Sequence, residues 1–217
     1  MPGCISLKYD YVLWDWNGTL LDDVCAALDC VNEMLDGLNR ERIGLERYCE
    51  LIDTPIINFY YGLFGTRDID FNTISEQFHT AYGKRVDGLR LMPDAERMLG
   101  YIHGLGIKQL IVTSAHAGDV RRQISKRGIE RYFECIIGAD DKYARSKTER
   151  AQLYFKQLPQ ARLLMVGDTL HDLQTARALG ADCVLLTSGH QGPSVLAAAD
   201  CFVTDGLDTL VDILKED

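Results

Sequence analysis

The chain lacks the cysteine patterns that accompany disulfide frameworks and zinc sites. Its seven cysteines are an odd number, and no two of them form a Cys-x-x-Cys pair. No apolar run approaches the roughly 20 residues of a membrane span, and the N-terminus has no basic segment followed by an apolar stretch. These absences predict a cytoplasmic protein that has no membrane partner.

Positive charge is also scarce, and it is unevenly distributed. The formal net charge is −9 at pH 7, which argues against nucleic acid or an anionic membrane as the default partner. Residues 20–83 contain twelve acidic residues, four arginines and no lysine, so this segment alone carries −8. Any chemistry that requires a lysine within this segment is therefore excluded.

Short apolar runs predict the strands of a sheet. They place Val, Ile or Leu at successive positions rather than alternating them with polar residues, which is typical of strands covered on both faces by helices. The runs are residues 11–14, 109–112, 135–137, 163–166, 183–186 and 201–203. Helical patterns alternate with them in the second half of the chain, so we predict an α/β fold with a Rossmann-like parallel sheet.

The interval between the first two predicted strands breaks this alternation. Its first apolar side chains recur at steps of four and three, at Val24, Leu28, Val31, Leu35 and Leu38. That spacing predicts an amphipathic helix, and further helical material follows with interruptions near residues 54–55 and 62–70. We therefore predict an all-helical cap domain at residues 20–85, inserted in a core domain formed by residues 1–19 and 86–217.

Polar residues follow four of the predicted strands. Asp15 ends the first strand, Thr113 and Ser114 follow the second, Lys147 begins the helix after the third, and Asp168 and Asp172 follow the fourth. Ligands of parallel α/β sheets bind just outside the carboxyl ends of the strands. Carboxylates, a hydroxyl and a lysine at these ends are suited to an anion together with a hard divalent cation.

At these positions the sequence resembles the haloacid dehalogenase superfamily, and within it the phosphoglycolate-phosphatase-like branch with a small helical cap. The motif Asp-x-Asp-x-Thr corresponds to residues 15–19, and Gly-Asp-Thr-x-x-Asp to residues 167–172. The hydroxyl motif corresponds to Thr113. We place the lysine motif at Lys147, with Lys142 and Arg145 nearby as alternatives. Four motifs in the right order, each at a strand end, make the resemblance specific.

The resemblance implies a magnesium-dependent phosphatase acting on a small phosphorylated metabolite, as a monomer or homodimer. Asp15 would attack phosphorus and form an aspartyl-phosphate that water then hydrolyses. Mg²⁺ would bind the carboxylates of Asp15 and Asp168 and the backbone carbonyl of Asn17, and Asp172 would complete or orient this shell. The implied phosphate contacts are the Lys147 ammonium, the Thr113 hydroxyl and the N–H of Ser114.

Asn17 departs from the motif, whose second aspartate protonates the leaving oxygen. An amide cannot deliver an acid proton, and losing general acid–base catalysis costs about 10²–10⁴ in rate. Three explanations stay open: a good leaving group, another proton donor such as His116, or slow hydrolysis. The alternative function is a catalytically weakened protein that binds a phosphorylated ligand or a protein partner.

Simpler interpretations exist for most of these residues. Asp15 could cap the turn that follows its strand, Asp168 could be a helix N-cap, and Thr113 could be a buried strand hydroxyl whose role Ser114 takes. His116 is typical of an exposed helix start. A phosphonate hydrolase, which needs a cap lysine, is disfavoured by the lysine-free segment, and a metal-independent dehalogenase leaves Asp168 and Asp172 unexplained.

Overall fold

A parallel sheet forms the centre of the computed structural model, which describes residues 7–140, 146–158 and 160–215. Over these residues six strands lie in the order β3-β2-β1-β4-β5-β6, and every neighbouring pair is parallel. The strands are β1 (Tyr11–Trp14), β2 (Lys108–His116), β3 (Cys135–Ala139), β4 (Leu163–Gly167), β5 (Asp182–Leu186) and β6 (Phe202–Thr204). Each overlaps a predicted run, so the predicted α/β fold is confirmed.

The strand order creates a crevice between β1 and β4. From β1 the chain winds outward through β2 and β3, then crosses back to β4 and winds the opposite way through β5 and β6. Trp14, the last residue of β1, pairs with Val166 of β4. The residues that follow these two strands therefore meet where the winding reverses, which is the ligand-binding position of doubly wound sheets.

Helices cover both faces of the sheet. Val12 and Trp14 of β1 pack in one hydrophobic cluster, and Tyr11 and Leu13 pack in the other. The first face is covered by α5 (Ala95–Gly104), α6 (Ala117–Lys126) and α10 (Leu210–Ile213), and the second by α7 (Lys147–Phe155), α8 (Leu170–Leu179) and α9 (Pro193–Leu196). Two-sided burial explains why the strand sequences are apolar at successive positions.

The interval between β1 and β2 is helical at its centre. It contains α1 (Val24–Gly37), α2 (Leu45–Leu51), α3 (Ile57–Phe64) and α4 (Phe71–Gly83). The predicted interruptions are present, although the second begins at Gly65 rather than at Gly62 because α3 continues to Phe64. Leu38, predicted in the apolar stripe of α1, is 48% exposed because the helix ends one residue before it.

These helices enclose a hydrophobic cluster of their own, distinct from the two sheet clusters. The two chain segments that connect them to the sheet run side by side, since Asp22 N donates to Arg90 O at 3.0 Å and Met92 N donates to Leu20 O at 2.9 Å. Leu20 and Leu21 pack with the sheet rather than with the helices. The division at residues 20 and 85 stays a prediction. Within the described residues, no helix has the length and apolar character needed to cross a membrane.

Candidate active site

A buried lysine joins two aspartates at the carboxyl edge of the sheet. The Lys147 ammonium donates to Asp15 Oδ1 at 2.8 Å and to Asp172 Oδ1 at 2.5 Å. Lys147 and Asp15 are 3% and 8% exposed, and Asp172 is fully buried. A capping box between Ser146 and Glu149 fixes the start of α7 and therefore the position from which the lysine reaches inward.

Asp168 lies beside this ion pair. Its Oδ1 accepts from the Thr19 hydroxyl at 2.8 Å, and its Oδ2 accepts from the His190 backbone N–H at 2.6 Å. The N-cap of α8 is Thr169, so the interpretation of Asp168 as a helix cap is wrong. Gly18 has a φ of +73°, and a Cβ there would overlap the side chains of Asp168 and His190. Glycine is thus required for this close approach.

Asp172 is held by several donors besides Lys147. Its Oδ2 accepts from the Thr169 hydroxyl at 2.7 Å, the Thr169 backbone N–H at 3.0 Å and the Asp168 backbone N–H at 3.3 Å. These bonds leave Asp172 with less capacity for a metal than Asp15 or Asp168. The geometry is better suited to a residue that orients the lysine and the turn after β4.

Burial and like charge govern the protonation of the aspartates. Burial raises the pKa of Asp15, and the negative charges of Asp172 and Asp168 add to this effect while Lys147 opposes it. Burial also raises the pKa of Asp168. The pKa of Asp172 is lowered despite its burial, because Lys147 and the Thr169 donors favour the carboxylate. The carboxyl groups therefore outnumber the Lys147 ammonium beside them, and this excess favours protonation of Asp15 and Asp168.

The donor set fits a divalent cation. One oxygen each from Asp15, Asp168 and Asp172 can be chosen so that all three lie within 4.8 Å of one another. These carboxylates offer the hard oxygen ligands that Mg²⁺ prefers. A bound cation would also reverse the upward pKa shifts of Asp15 and Asp168, because it favours their ionised forms.

The predicted phosphate-binding residues lie inside β2 rather than after it. Regular pairing with β3 ends at Val112, and the register shifts before His116, so Thr113 and Ser114 occupy an irregular part of the strand. Thr113 is 1% exposed, and its Oγ1 accepts from the Ala115 backbone N–H at 3.1 Å. A hydroxyl that accepts from the backbone keeps its own proton for another partner. The Ser114 side chain is exposed.

Asn17 belongs to a hydrogen-bonded group that the sequence did not reveal. Its Nδ2 donates to Asp23 Oδ2 at 2.7 Å and to the Tyr82 hydroxyl at 2.8 Å. Asp23 occupies the N-cap position of α1, yet its side chain makes no capping bond and turns toward Asn17 instead. Asp23 is only 2% exposed.

His190 is a second residue that sequence reasoning missed. Its Nε2 lies 3.2 Å from Asp23 Oδ1 and its Nδ1 lies 2.9 Å from the Tyr48 hydroxyl. Burial disfavours the charged ring, but Asp23 and then Asp168 and Asp15 outweigh it and raise the pKa of His190 to about 9. The sequence signal that could have indicated it is its position soon after β5, because ligands of parallel sheets bind beyond the carboxyl ends of the strands.

Other predicted candidates lie elsewhere or are not described. His116 is exposed at the N-cap of α6, and its Nδ1 lies 3.7 Å from Asp119 Oδ2, as expected for a helix-start histidine. His171, which lies within the Gly-Asp-Thr-x-x-Asp motif at residues 167–172, is half-buried. Lys142 and Arg145, the alternatives for the lysine motif, lie outside the described residues.

Known proteins resemble this chain in sequence. A phosphoglycolate phosphatase from Pseudomonas fluorescens is 29% identical over 213 residues, which cover 92% of this chain and 78% of that protein. A phosphoglycolate phosphatase from Photobacterium profundum is 24% identical over 222 residues, with coverage of 94% and 95%.

The fold is shared with solved structures. The crystal structure of a predicted phosphatase from Clostridium acetobutylicum superimposes with a TM-score of 0.79 at 18% identity, covering 94% of this chain and 97% of that one. At such low identity the likeness supports the fold alone. The sequence profile of haloacid dehalogenase-like hydrolases, however, matches residues 12–186, which include Asp15, Lys147 and Asp168. The chain therefore belongs to the haloacid dehalogenase-like hydrolase family.

Proposed function

We propose that the chain is a magnesium-dependent phosphatase that hydrolyses a small phosphate monoester through an aspartyl-phosphate at Asp15. The observation that carries the proposal is the buried contact of Lys147 with both Asp15 and Asp172, beside Asp168 at the switch point of the sheet. The relatives named phosphoglycolate phosphatase support the reaction class. Residues 20–85 would form the cap, while cytoplasmic location and a monomeric or dimeric state stay predictions.

Asp15 is the nucleophile in this proposal. Its carboxylate oxygen bonds to phosphorus while the ester oxygen leaves with the bonding electron pair, and water later attacks the same phosphorus to release phosphate and regenerate the carboxylate. Asp15, Asp168 and the Asn17 carbonyl would hold Mg²⁺, whose positive charge would lower the repulsion between carboxylate and phosphate.

The neighbouring groups prepare Asp15 for this attack. Lys147 holds one carboxylate oxygen at 2.8 Å and adds a positive charge where two anions must meet. Asp172 fixes the lysine from the other side. The Thr113 hydroxyl proton and the backbone N–H of Ser114 would hold phosphate oxygens. Burial of Lys147 and Thr113 reduces the screening of their contacts by water.

Asp15→Asn provides the test. Phosphate release from a set of phosphate monoesters is measured with Mg²⁺ and after its removal by a chelator. We expect both Asp15→Asn and metal removal to abolish turnover, whereas Asp22→Asn, an exposed neighbour in the same segment, should retain it. Turnover that survives Asp15→Asn at the wild-type rate would exclude this mechanism.

Asn17 supports a second candidate, a weakened member of the family that binds a phosphorylated ligand or a protein partner. In favour of it, the residue that would carry the acid proton has an amide facing Asp23 and Tyr82. Against it, the nucleophile, lysine and metal-ligand carboxylates are all assembled. Saturable ligand binding without turnover of any ester would support this second function.

A further inference from the structure

The groups around Asn17 are bonded to one another rather than free to serve a substrate. Asp23 Oδ2 accepts from Asn17 and from the Tyr82 hydroxyl at 2.7 and 2.6 Å, and Asp23 Oδ1 accepts from the Gly18 backbone N–H at 2.7 Å. His190 adds a fourth contact to Oδ1 at 3.2 Å. Four partners fill the usual acceptor capacity of a carboxylate.

This arrangement fixes the orientation of the Asn17 amide. An ionised carboxylate only accepts hydrogen bonds, so the amide end that faces Asp23 must be the nitrogen. The Asn17 Nδ2 group therefore faces Asp23. The amide oxygen, which can only accept a hydrogen bond, is the atom that remains available to other groups.

The neighbours of Asn17 direct their polar hydrogens toward one another rather than toward a leaving group. The Tyr82 hydroxyl gives its proton to Asp23. Both ring nitrogens of His190 contact protein groups, one Asp23 and the other the Tyr48 hydroxyl. The Asp23 carboxylate accepts from the Asn17 amide, the Gly18 N–H and the Tyr82 hydroxyl.

We infer that Asp23 and Tyr82 position the Asn17 amide as an acceptor, so that the site takes phosphoryl compounds whose leaving oxygen departs without protonation. The inference rests on the proposed function and deepens it by naming the substrate class. That class comprises compounds with a weakly basic leaving oxygen, such as the carboxylate of an acyl phosphate or the phenolate of an aryl phosphate. Simple alkyl phosphates are poor substrates.

The chemical balance of both steps is complete without an acid at position 17. In the first step the Asp15 carboxylate bonds to phosphorus, the bond from phosphorus to the leaving oxygen breaks, and that oxygen leaves as an anion. In the second step water attacks phosphorus and the bond to Asp15 breaks. Both hydrogens of the water remain on the released dihydrogen phosphate, and the carboxylate is restored.

The test is the dependence of rate on leaving-group basicity. Wild-type holoenzyme with Mg²⁺ is assayed for kcat/KM on phosphate monoesters ranging from a dinitrophenyl ester through phenyl phosphate to an alkyl phosphate. We expect kcat/KM to fall steeply along this series. A shallow dependence overturns the inference, because some group then protonates the leaving oxygen.

The reciprocal exchange Asn17→Asp with Asp23→Asn provides the matched comparison. It places a carboxylate at position 17 and keeps an amide partner for it at position 23, so the two side chains can still bond. We expect this double variant to make kcat/KM less dependent on leaving-group basicity. Its kcat/KM for the alkyl phosphate should rise by about 10²–10⁴-fold. Asn17→Asp alone sets two carboxylates against each other and should gain far less.

Two further variants separate the outcomes. Tyr82→Phe removes a positioning contact without supplying an acid. It should change kcat/KM for all esters alike and leave the dependence on leaving-group basicity unchanged. A weaker dependence would contradict the role of Tyr82. If His116→Gln steepens the wild-type slope, His116 is the proton donor and the inference is wrong. Loss of all activity in Asp15→Asn shows that the proposed function stands in either case.

Discussion

Lys147 is buried, so its positive charge affects the stability of the fold as well as the proposed catalytic site. Burial disfavours the ammonium, but Asp15 and Asp172 outweigh it and raise the pKa of Lys147 above its usual value. Removing one partner of a buried ion pair leaves the other charge without compensation. Lys147 therefore contributes to the stability of the fold and also holds Asp15, the proposed nucleophile.

Lys147→Met should lower the free energy of unfolding by about 3–5 kcal/mol in metal-free buffer, because Asp15 and Asp172 lose their shared cation. Urea denaturation measures the change. Lys156→Met, an exposed lysine just after the same helix, serves as the control and should change stability by less than about 0.5 kcal/mol. Equal effects of the two substitutions would contradict the role given to Lys147.

His190 makes the stability of the metal-free protein depend on pH. Its folded pKa is about 9, against about 6.5 in an unfolded chain. Because the folded value is higher, the protonated ring stabilises the fold fully below about pH 6.5, and this contribution is lost as the pH rises through about 9.

We therefore expect the stability difference between wild type and His190→Gln to shrink by on the order of 3 kcal/mol between about pH 6 and about pH 9.5. Urea midpoints across this range give the measurement. His103→Gln, an exposed histidine near the end of α5, should show no such trend. A pH-independent difference would show that Asp23 does not hold the charged ring.

Among the elements of the fold, the strands could be predicted from the sequence, but contacts between residues far apart in the chain could not. Asp15 and Asp168 could be found because each ends an apolar run, and parallel strands bring their carboxyl ends to one edge. His190 and Asp23 are 167 residues apart. Neither lies in a motif of known chemistry, so only the packing of the helices against the sheet brings them together.

The ends of α1 could not be predicted fully from the sequence. Leu38 continues the apolar spacing of α1, but the helix stops at Gly37 and the side chain turns to solvent. Asp23 has the residue type and position of an N-cap, but its carboxylate bonds to Asn17 and Gly18 instead. Local propensity gives the candidate residues of a helix end, whereas tertiary contacts decide how they are used.

The start of α7 can be tested directly. Ser146→Ala removes the hydroxyl that accepts from the Glu149 backbone N–H at 3.2 Å, and it should cost about 0.5–2 kcal/mol of stability. Ser146→Asp, which keeps a side-chain acceptor at the N-cap, should restore most of the loss. Thermal denaturation of the two variants decides the matter, and equal Tm values for both would rule out the capping contact as the cause.

At the scale of the whole molecule, a short segment after β5 connects the sheet to the helices inserted after β1. Gln191, 5% exposed, accepts from the Leu170 backbone N–H at 2.7 Å and donates to Ile52 O at 2.7 Å. His190 contacts Tyr48 of α2 in the same region. These bonds connect α2 to a segment whose His190 N–H also donates to Asp168.

Gln191→Ala should loosen this connection. Amide hydrogen exchange in α2 is expected to accelerate, because the helix loses a buried hydrogen bond to the sheet side, while exchange in β1 and β4 stays unchanged. Gln77→Ala, at an exposed position of α4, is the control. Unchanged exchange in α2 would mean that the segment after β5 does not hold the helices.

In the proposed mechanism Asp15 carries the phosphoryl group during turnover. The most direct measurement is rapid acid quenching of the enzyme during turnover of an aryl phosphate with Mg²⁺, followed by peptide mass spectrometry. We expect one phosphoryl group on the peptide that contains Asp15 in the wild type and none in Asp15→Asn. A phosphoryl group on another residue, or hydrolysis that continues in Asp15→Asn, would contradict it.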